Sequence, residues 1–170
     1  MTSSVLHLLA FAFFPAAMAL SASVDLLTFT IPNRLCLALA VGYLIFAAML
    51  GAPALDVLLN VSCGLAILVI TFAMSHFGLI GGGDAKLAAA TAAWLGWTTI
   101  VDYGLAAALF GGVLTFLLLG ARMVPLPAVL GRIDWLARLH NANAGVPYGI
   151  ALAAAGLMQY PNSSIWAAVA

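Results

Sequence analysis

Two aspartates are the residues of this sequence best suited to chemistry. All five acidic residues are aspartates; Asp25 follows a long uncharged run, and Asp84 ends the stretch "GLIGGGD". Two carboxylates held together in a poorly solvated site cannot both ionise cheaply, so the pair retains a shared proton. Such a pair suits peptide hydrolysis, because the ionised member activates water while the protonated member polarises the carbonyl. We therefore expect no metal and no cofactor.

The composition indicates where these carboxylates must lie. The chain is 66% hydrophobic and only 6% charged, with a mean hydropathy of +1.21, whereas soluble domains are about a quarter charged. The sequence therefore predicts an all-α membrane protein, a polytopic bundle forming a single domain over 1–170. A net charge of zero gives no reason to expect nucleic acid as a partner. Cys36 and Cys63 lie in apolar stretches and are expected to be packing residues.

Uncharged runs between the charges divide the chain into about six spans. The predicted transmembrane helices are 4–23, 34–51, 56–77, 84–101, 103–121 and 146–168. The first run carries no Lys or Arg that would mark a cleaved signal peptide, so we expect a retained helix.

The loop 122–144 carries a further helical pattern. It spaces four apolar residues at helical intervals, which predicts a short helix on the cytoplasmic leaflet: Val129, Ile133, Leu136 and Leu139.

The basic residues predict the orientation of the bundle. All five would lie on one side, namely Arg34, Lys86, Arg122, Arg132 and Arg138. The positive-inside rule makes that side cytoplasmic and both termini external. Asp25 and Asp84 then lie at the cytoplasmic ends of two different helices. A carboxylate drawn into the membrane boundary is costly, which points to function.

Three motifs in this order resemble the type IV prepilin peptidases, a family of intramembrane aspartyl proteases. They are "GGGD" at 81–84, which fits G-x-G-D, Asp25 followed by "IPN" at 31–33, and "PYG" at 147–149. The resemblance covers essentially the whole chain. It is greatest to the short CpaA/TadV-like branch, which processes Flp-type prepilins.

The resemblance implies that Asp25 and Asp84 form the catalytic pair. The implied substrate is a prepilin, recognised through its leader peptide and adjacent hydrophobic helix, and cut at the cytoplasmic face of the bacterial inner membrane. Both termini would then be periplasmic, and homo-oligomerisation stays open. Larger members also N-methylate the product and carry an insert with C-x-x-C motifs. No such insert follows the first span here, so we expect a peptidase only.

Other residues of the motifs are expected to support the pair. Gly81 and Gly83 would allow a tight turn and close approach of the substrate beside Asp84. Asn33 would tie down the loop or orient a carboxylate. Lys86 would anchor the chain at the membrane interface or favour the ionised form of Asp84. Tyr148 would line the cleft or be a packing residue.

Two other functions remain open from the residues alone. A small proton-coupled transporter or channel could use the same carboxylates as a proton relay. A non-catalytic membrane subunit would leave both aspartates unexplained, although Asp84 could simply cap a helix.

Overall fold

The fold consists of α-helices joined by short loops. The computed structural model describes residues 2–127 and 129–169; Met1, Ala128 and Ala170 lie outside these, and so do the two ends of the predicted domain 1–170. Eight α-helices and two 3₁₀ turns, Leu130–Arg132 and Tyr160–Asn162, are present in this part of the chain. The α-helices are α1 (Thr2–Thr28), α2 (Asn33–Met49), α3 (Ala54–His76), α4 (Gly82–Leu95), α5 (Ile100–Arg122), α6 (Asp134–His140), α7 (Gly149–Gln159) and α8 (Ser164–Val169). The described residues include no strand, which confirms the predicted all-α class.

Three of these helices are long and apolar enough to cross a bilayer. They comprise Ser4–Thr28 within α1, Ala54–His76 and Ile100–Arg122, while α2 is a shorter apolar helix. A helix of 23 residues spans about 35 Å, slightly more than the hydrocarbon core. Val69 on α3 and Phe116 on α5 are more than 70% exposed, as expected for side chains that face lipid. The chain is an all-α membrane protein.

The predicted span 84–101 is too long. Helix α4 ends at Leu95, where Gly96 adopts a φ of 74° and a ψ of 179°, a combination essentially restricted to glycine. The prediction extended the helix to the next charged residue and overlooked this glycine. The 14 residues of α4 span only about 21 Å.

The predicted span 146–168 is interrupted. Helix α7 ends at Gln159, and the turn Tyr160–Asn162 separates it from α8. Pro161 lies in that turn and cannot donate the backbone hydrogen bond that a continuous helix requires. Six apolar helices therefore follow the predicted order, but α2, α4 and α7 are shorter than a full span.

The short helix α4 lies at the centre of the bundle. It packs against α2, α3 and α7, and every residue from Leu87 to Leu95 is buried. Its alanines permit close approach of the neighbouring helices. At the contact with α3, a Cβ added to Gly64 would lie only 3.0 Å from the Ala89 carbonyl oxygen. The indole N–H of Trp94 donates to the Leu39 carbonyl of α2 across 2.9 Å. Protein rather than lipid surrounds α4, so its short length is tolerated.

The predicted interfacial helix is shorter than the sequence pattern suggested. Val129 and Ile133 precede α6, and Ile133 has extended backbone angles, so the four apolar residues do not form one helical face. Arg138 of α6 donates to the carbonyl oxygens of Leu27 and Thr28. This contact holds α6 against the end of α1.

Candidate active site

Asp25 lies in the last turns of α1. The predicted span ended at residue 23, but the helix continues to Thr28, which places Asp25 within it. The residue is only 4% exposed. The chain then turns at Phe29, whose N–H donates to the Asp25 carbonyl across 2.7 Å and whose φ is 57°. This left-handed conformation is uncommon for any residue other than glycine and often marks a functional segment.

Asp84 lies in the first turn of α4, where it is partly buried. Gly81 precedes the helix with a φ of −69°, and a Cβ added there would lie 2.8 Å from the Asp84 Oδ2. The left-handed glycine of this loop is Gly78, at a φ of 72°. Gly81 therefore leaves room for the carboxylate without a positive φ, and its expected role in the approach of the substrate stays a prediction.

Ile31 joins the loop after α1 to both other motifs. It is buried, and a Cβ added to Gly83 would lie 3.2 Å from its Cβ. A Cβ added to Gly149 would lie 2.8 Å from its Cδ1. The glycine beside Asp84 and the glycine of "PYG" are therefore needed for close packing on one isoleucine. This contact brings three segments that are distant in sequence to one end of the bundle.

The start of α7 supplies a hydrogen bond to the first aspartate. The Gly149 N–H donates to the Asp25 Oδ2 across 2.7 Å. The free N–H groups and the dipole of a helix N-terminus are complementary to a carboxylate. Tyr148, one residue earlier, packs its ring against Gly111 of α5 and lines the same cavity as Asp25.

Lys86 and Asn33 interact with one another. The Lys86 Nζ donates to the Asn33 Oδ1 across 2.8 Å, and both side chains are exposed. The bond ties the start of α4 to the start of α2. In the described residues neither side chain makes a hydrogen bond to Asp25 or Asp84. A role of Asn33 or Lys86 in supporting the two carboxylates therefore stays a prediction.

One cavity of about 1120 Å³ contains both aspartates. The loop 78–84 and residues 29–31 form its end beside the carboxylates, and α3 and α5 form walls further along. The part of the chain that the structure describes has no group of three or more His, Cys, Asp or Glu that could hold a metal ion. The arrangement offers two carboxylates to a substrate that enters the cavity.

Sequence reasoning missed four residues around this site. The first two are Phe29 and Tyr103, which line the cavity. The others are Arg122 and Arg138, which we had used only to orient the bundle. Arg122 donates to the carbonyl oxygens of Leu139, Ala144 and Gly145 at 3.0, 3.2 and 2.9 Å. It thereby holds the loop that leads to Gly149.

The fold and the site define the class of protein: a helical, multi-pass membrane protein with two aspartates in one cavity. The type IV leader peptidase family model matches residues 12–116, more than half of the chain's 170 residues. The chain belongs to the type IV leader peptidase family, and is therefore of a peptidase family. The match includes Asp25, "IPN" and Asp84. Neither the curated proteins nor the solved structures compared with the chain gave a match.

Proposed function

We propose that this protein is an aspartyl endopeptidase that removes the leader peptide of type IV prepilins, in particular those of the Flp type. The observation that supports this most is that Asp25 and Asp84, from helices far apart in sequence, line one cavity. Membership of the leader peptidase family supports the substrate class. The CpaA/TadV-like motif spacing is our reason for choosing Flp-type pilins.

The proposed reaction uses one carboxylate as a base and the other as an acid. We assign Asp25 as the base because its Oδ2 already accepts the Gly149 N–H, which fixes the carboxylate; its Oδ1 would take a proton from water. The water oxygen then adds to the scissile carbonyl carbon while Asp84 gives its proton to the carbonyl oxygen. In the second step the C–N bond breaks and the amine takes the proton that Asp25 holds, while a hydroxyl of the tetrahedral intermediate returns a proton to Asp84 as the carbonyl re-forms. The cycle requires no cofactor.

We further propose that the site faces the cytoplasm from the bacterial inner membrane, with both termini periplasmic. Supporting this orientation, Lys86 and Arg138 make their contacts with Asn33 and with the end of α1, beside the aspartates. Asp56 lies in the first turn of α3, near Trp97 in the loop that follows α4; both positions are at the ends of α3 and α4 opposite the loop 78–84. The positive-inside rule then gives the orientation.

Co-expression with an Flp-type prepilin tests the proposal. The wild type should convert the precursor to the mature pilin, whereas Asp25→Asn and Asp84→Asn should leave it uncut at equal enzyme levels. Cleavage that is lost in chelator and restored by zinc would point to a metal enzyme and contradict the aspartyl mechanism. Full processing by either Asn variant would also refute it.

A further inference from the structure

The cavity continues well beyond the aspartates, between α3 and α5. Its walls there include Ile67 and Met74 of α3, and Ile100, Gly104 and Thr115 of α5. Fifteen helical positions separate Ile100 from Thr115, which corresponds to about 22 Å along α5. The cavity, at about 1120 Å³, is larger than the roughly 300–1,000 Å³ typical of small-molecule pockets. We call this extension the α3–α5 groove.

We infer that the α3–α5 groove binds the apolar segment of the substrate that lies next to the cleaved bond. This inference rests on the proposed function and specifies which surface of the enzyme holds the substrate. Because the groove is continuous with the cavity of both aspartates, a chain cut between them would extend directly into it. Helices α3 and α5 are membrane spans by length and composition, so an occupant of the groove must be apolar.

The side chains of the groove favour a chain segment as the occupant. Gly104 and Ala108 of α5 are exposed and line the groove, and small residues of this kind allow a helix to approach closely in a membrane. The groove is therefore shaped for backbone approach along one face of α5.

Two glycines of α5 allow a matched test. A Cβ added to Gly104 or to Gly112 would meet no atom within 4 Å, so neither glycine is packed closely against the rest of the fold. Of the two, Gly104 alone lines the cavity. Gly104→Leu should lower the cleavage rate of a full-length prepilin by about tenfold or more, since misplaced methylene groups in a binding pocket cost this much. Gly112→Leu should cleave at the wild-type rate.

If Gly104→Leu, Gly112→Leu and the wild type cleave at equal rates, the inference is overturned. A groove that holds only a lipid acyl chain would give this result. A second measurement does not depend on turnover. In the Asp84→Asn background, Gly104→Cys should form a disulfide, under a mild oxidant, with a single cysteine placed in the prepilin's apolar segment, and Gly112→Cys should not. The native Cys36 and Cys63 are buried and give only background.

The two proposals fail in different ways. Wild-type cleavage by Asp25→Asn would refute the peptidase mechanism and leave the crosslinking result intact. Normal dependence on the aspartates, without crosslinking at position 104 and without an effect of Gly104→Leu, would refute the groove alone.

Discussion

The Gly149 N–H donates to the Asp25 carboxylate across 2.7 Å, although 124 positions separate these residues in the chain. This bond joins the start of α7 to the end of α1. It gives a physical reason for the "PYG" motif, because the glycine lies so close to Asp25 that no side chain fits between them. The contact also links the position of the loop 141–148 to the geometry of the carboxylate.

Replacing Gly149 should therefore impair catalysis. The Cβ of Gly149→Ala would lie 2.8 Å from the Asp25 Oδ2 and 2.8 Å from the Ile31 Cδ1. A displacement of the carboxylate by about 1 Å can cost roughly 100-fold in rate. We expect a loss of this size in the ratio of mature to precursor pilin at matched enzyme levels. Gly120→Ala is the control, since a Cβ there meets nothing within 4 Å; equal activity of the two variants would contradict the contact.

The glycines of "GGGD" should differ in their tolerance of side chains. A Cβ on Gly83 would lie 3.3 Å from the Ile31 backbone nitrogen, whereas one on Gly82 would meet the Ser75 Oγ at an ordinary 3.7 Å. We expect Gly83→Leu to abolish cleavage without preventing membrane insertion, and Gly82→Ala to lose far less. Cleavage by purified protein in detergent, corrected for the amount of folded enzyme, measures the difference. If Gly83→Leu matches Gly82→Ala, the segment is only an interhelical turn.

Arg122 should act as a positioning residue as well as a topological charge. Its three bonds to the carbonyl oxygens of Leu139, Ala144 and Gly145 hold the loop before Gly149. Arg122→Gln should lower the processing rate by about tenfold, since bonds from a charged donor contribute roughly 1.5–3 kcal/mol each and part of that is recovered by water. Arg132→Gln removes the same charge from the exposed 3₁₀ turn and should have little effect. If both variants show identical processing rates and identical topology, Arg122 contributes only its positive charge to the orientation of the protein and does not position the loop.

Thiol labelling should establish the orientation. Asn143 and Ala54 are exposed near opposite ends of the bundle. A membrane-impermeant reagent should label Ala54→Cys in intact spheroplasts and Asn143→Cys only after lysis. Labelling of Asn143→Cys from outside would invert the topology and place the aspartates on the periplasmic face.

The sequence allowed prediction of the fold class and the order of the apolar helices because charges are so rare that each one marks a helix end. The same reasoning extended the fourth span too far, since Gly96 ends α4 before the next charged residue is reached. Pro161 was a visible reason for the break after α7, but the apolar run around it concealed the interruption.

The site was predictable only in part. The motifs named Asp25 and Asp84, and the structure places both in one cavity. The Gly149 donor is a backbone group, which residue types do not reveal. Phe29 adopts a left-handed conformation that local sequence preferences disfavour, so only the tertiary contacts could have indicated it. Tyr103 lies beside Asp102 in the chain, and nothing in its neighbours distinguishes it from a packing residue.

A double-mutant comparison of the aspartates tests the central claim most directly. The measurement is the cleavage rate of a purified Flp-type prepilin by Asp25→Asn, Asp84→Asn and the double variant in detergent. Groups that act as one catalytic unit give losses that do not add, so the double variant should be no slower than either single variant, and all three should lie at the background rate. A wild-type rate for either single variant, or partial losses that multiply in the double variant, would contradict a shared catalytic pair.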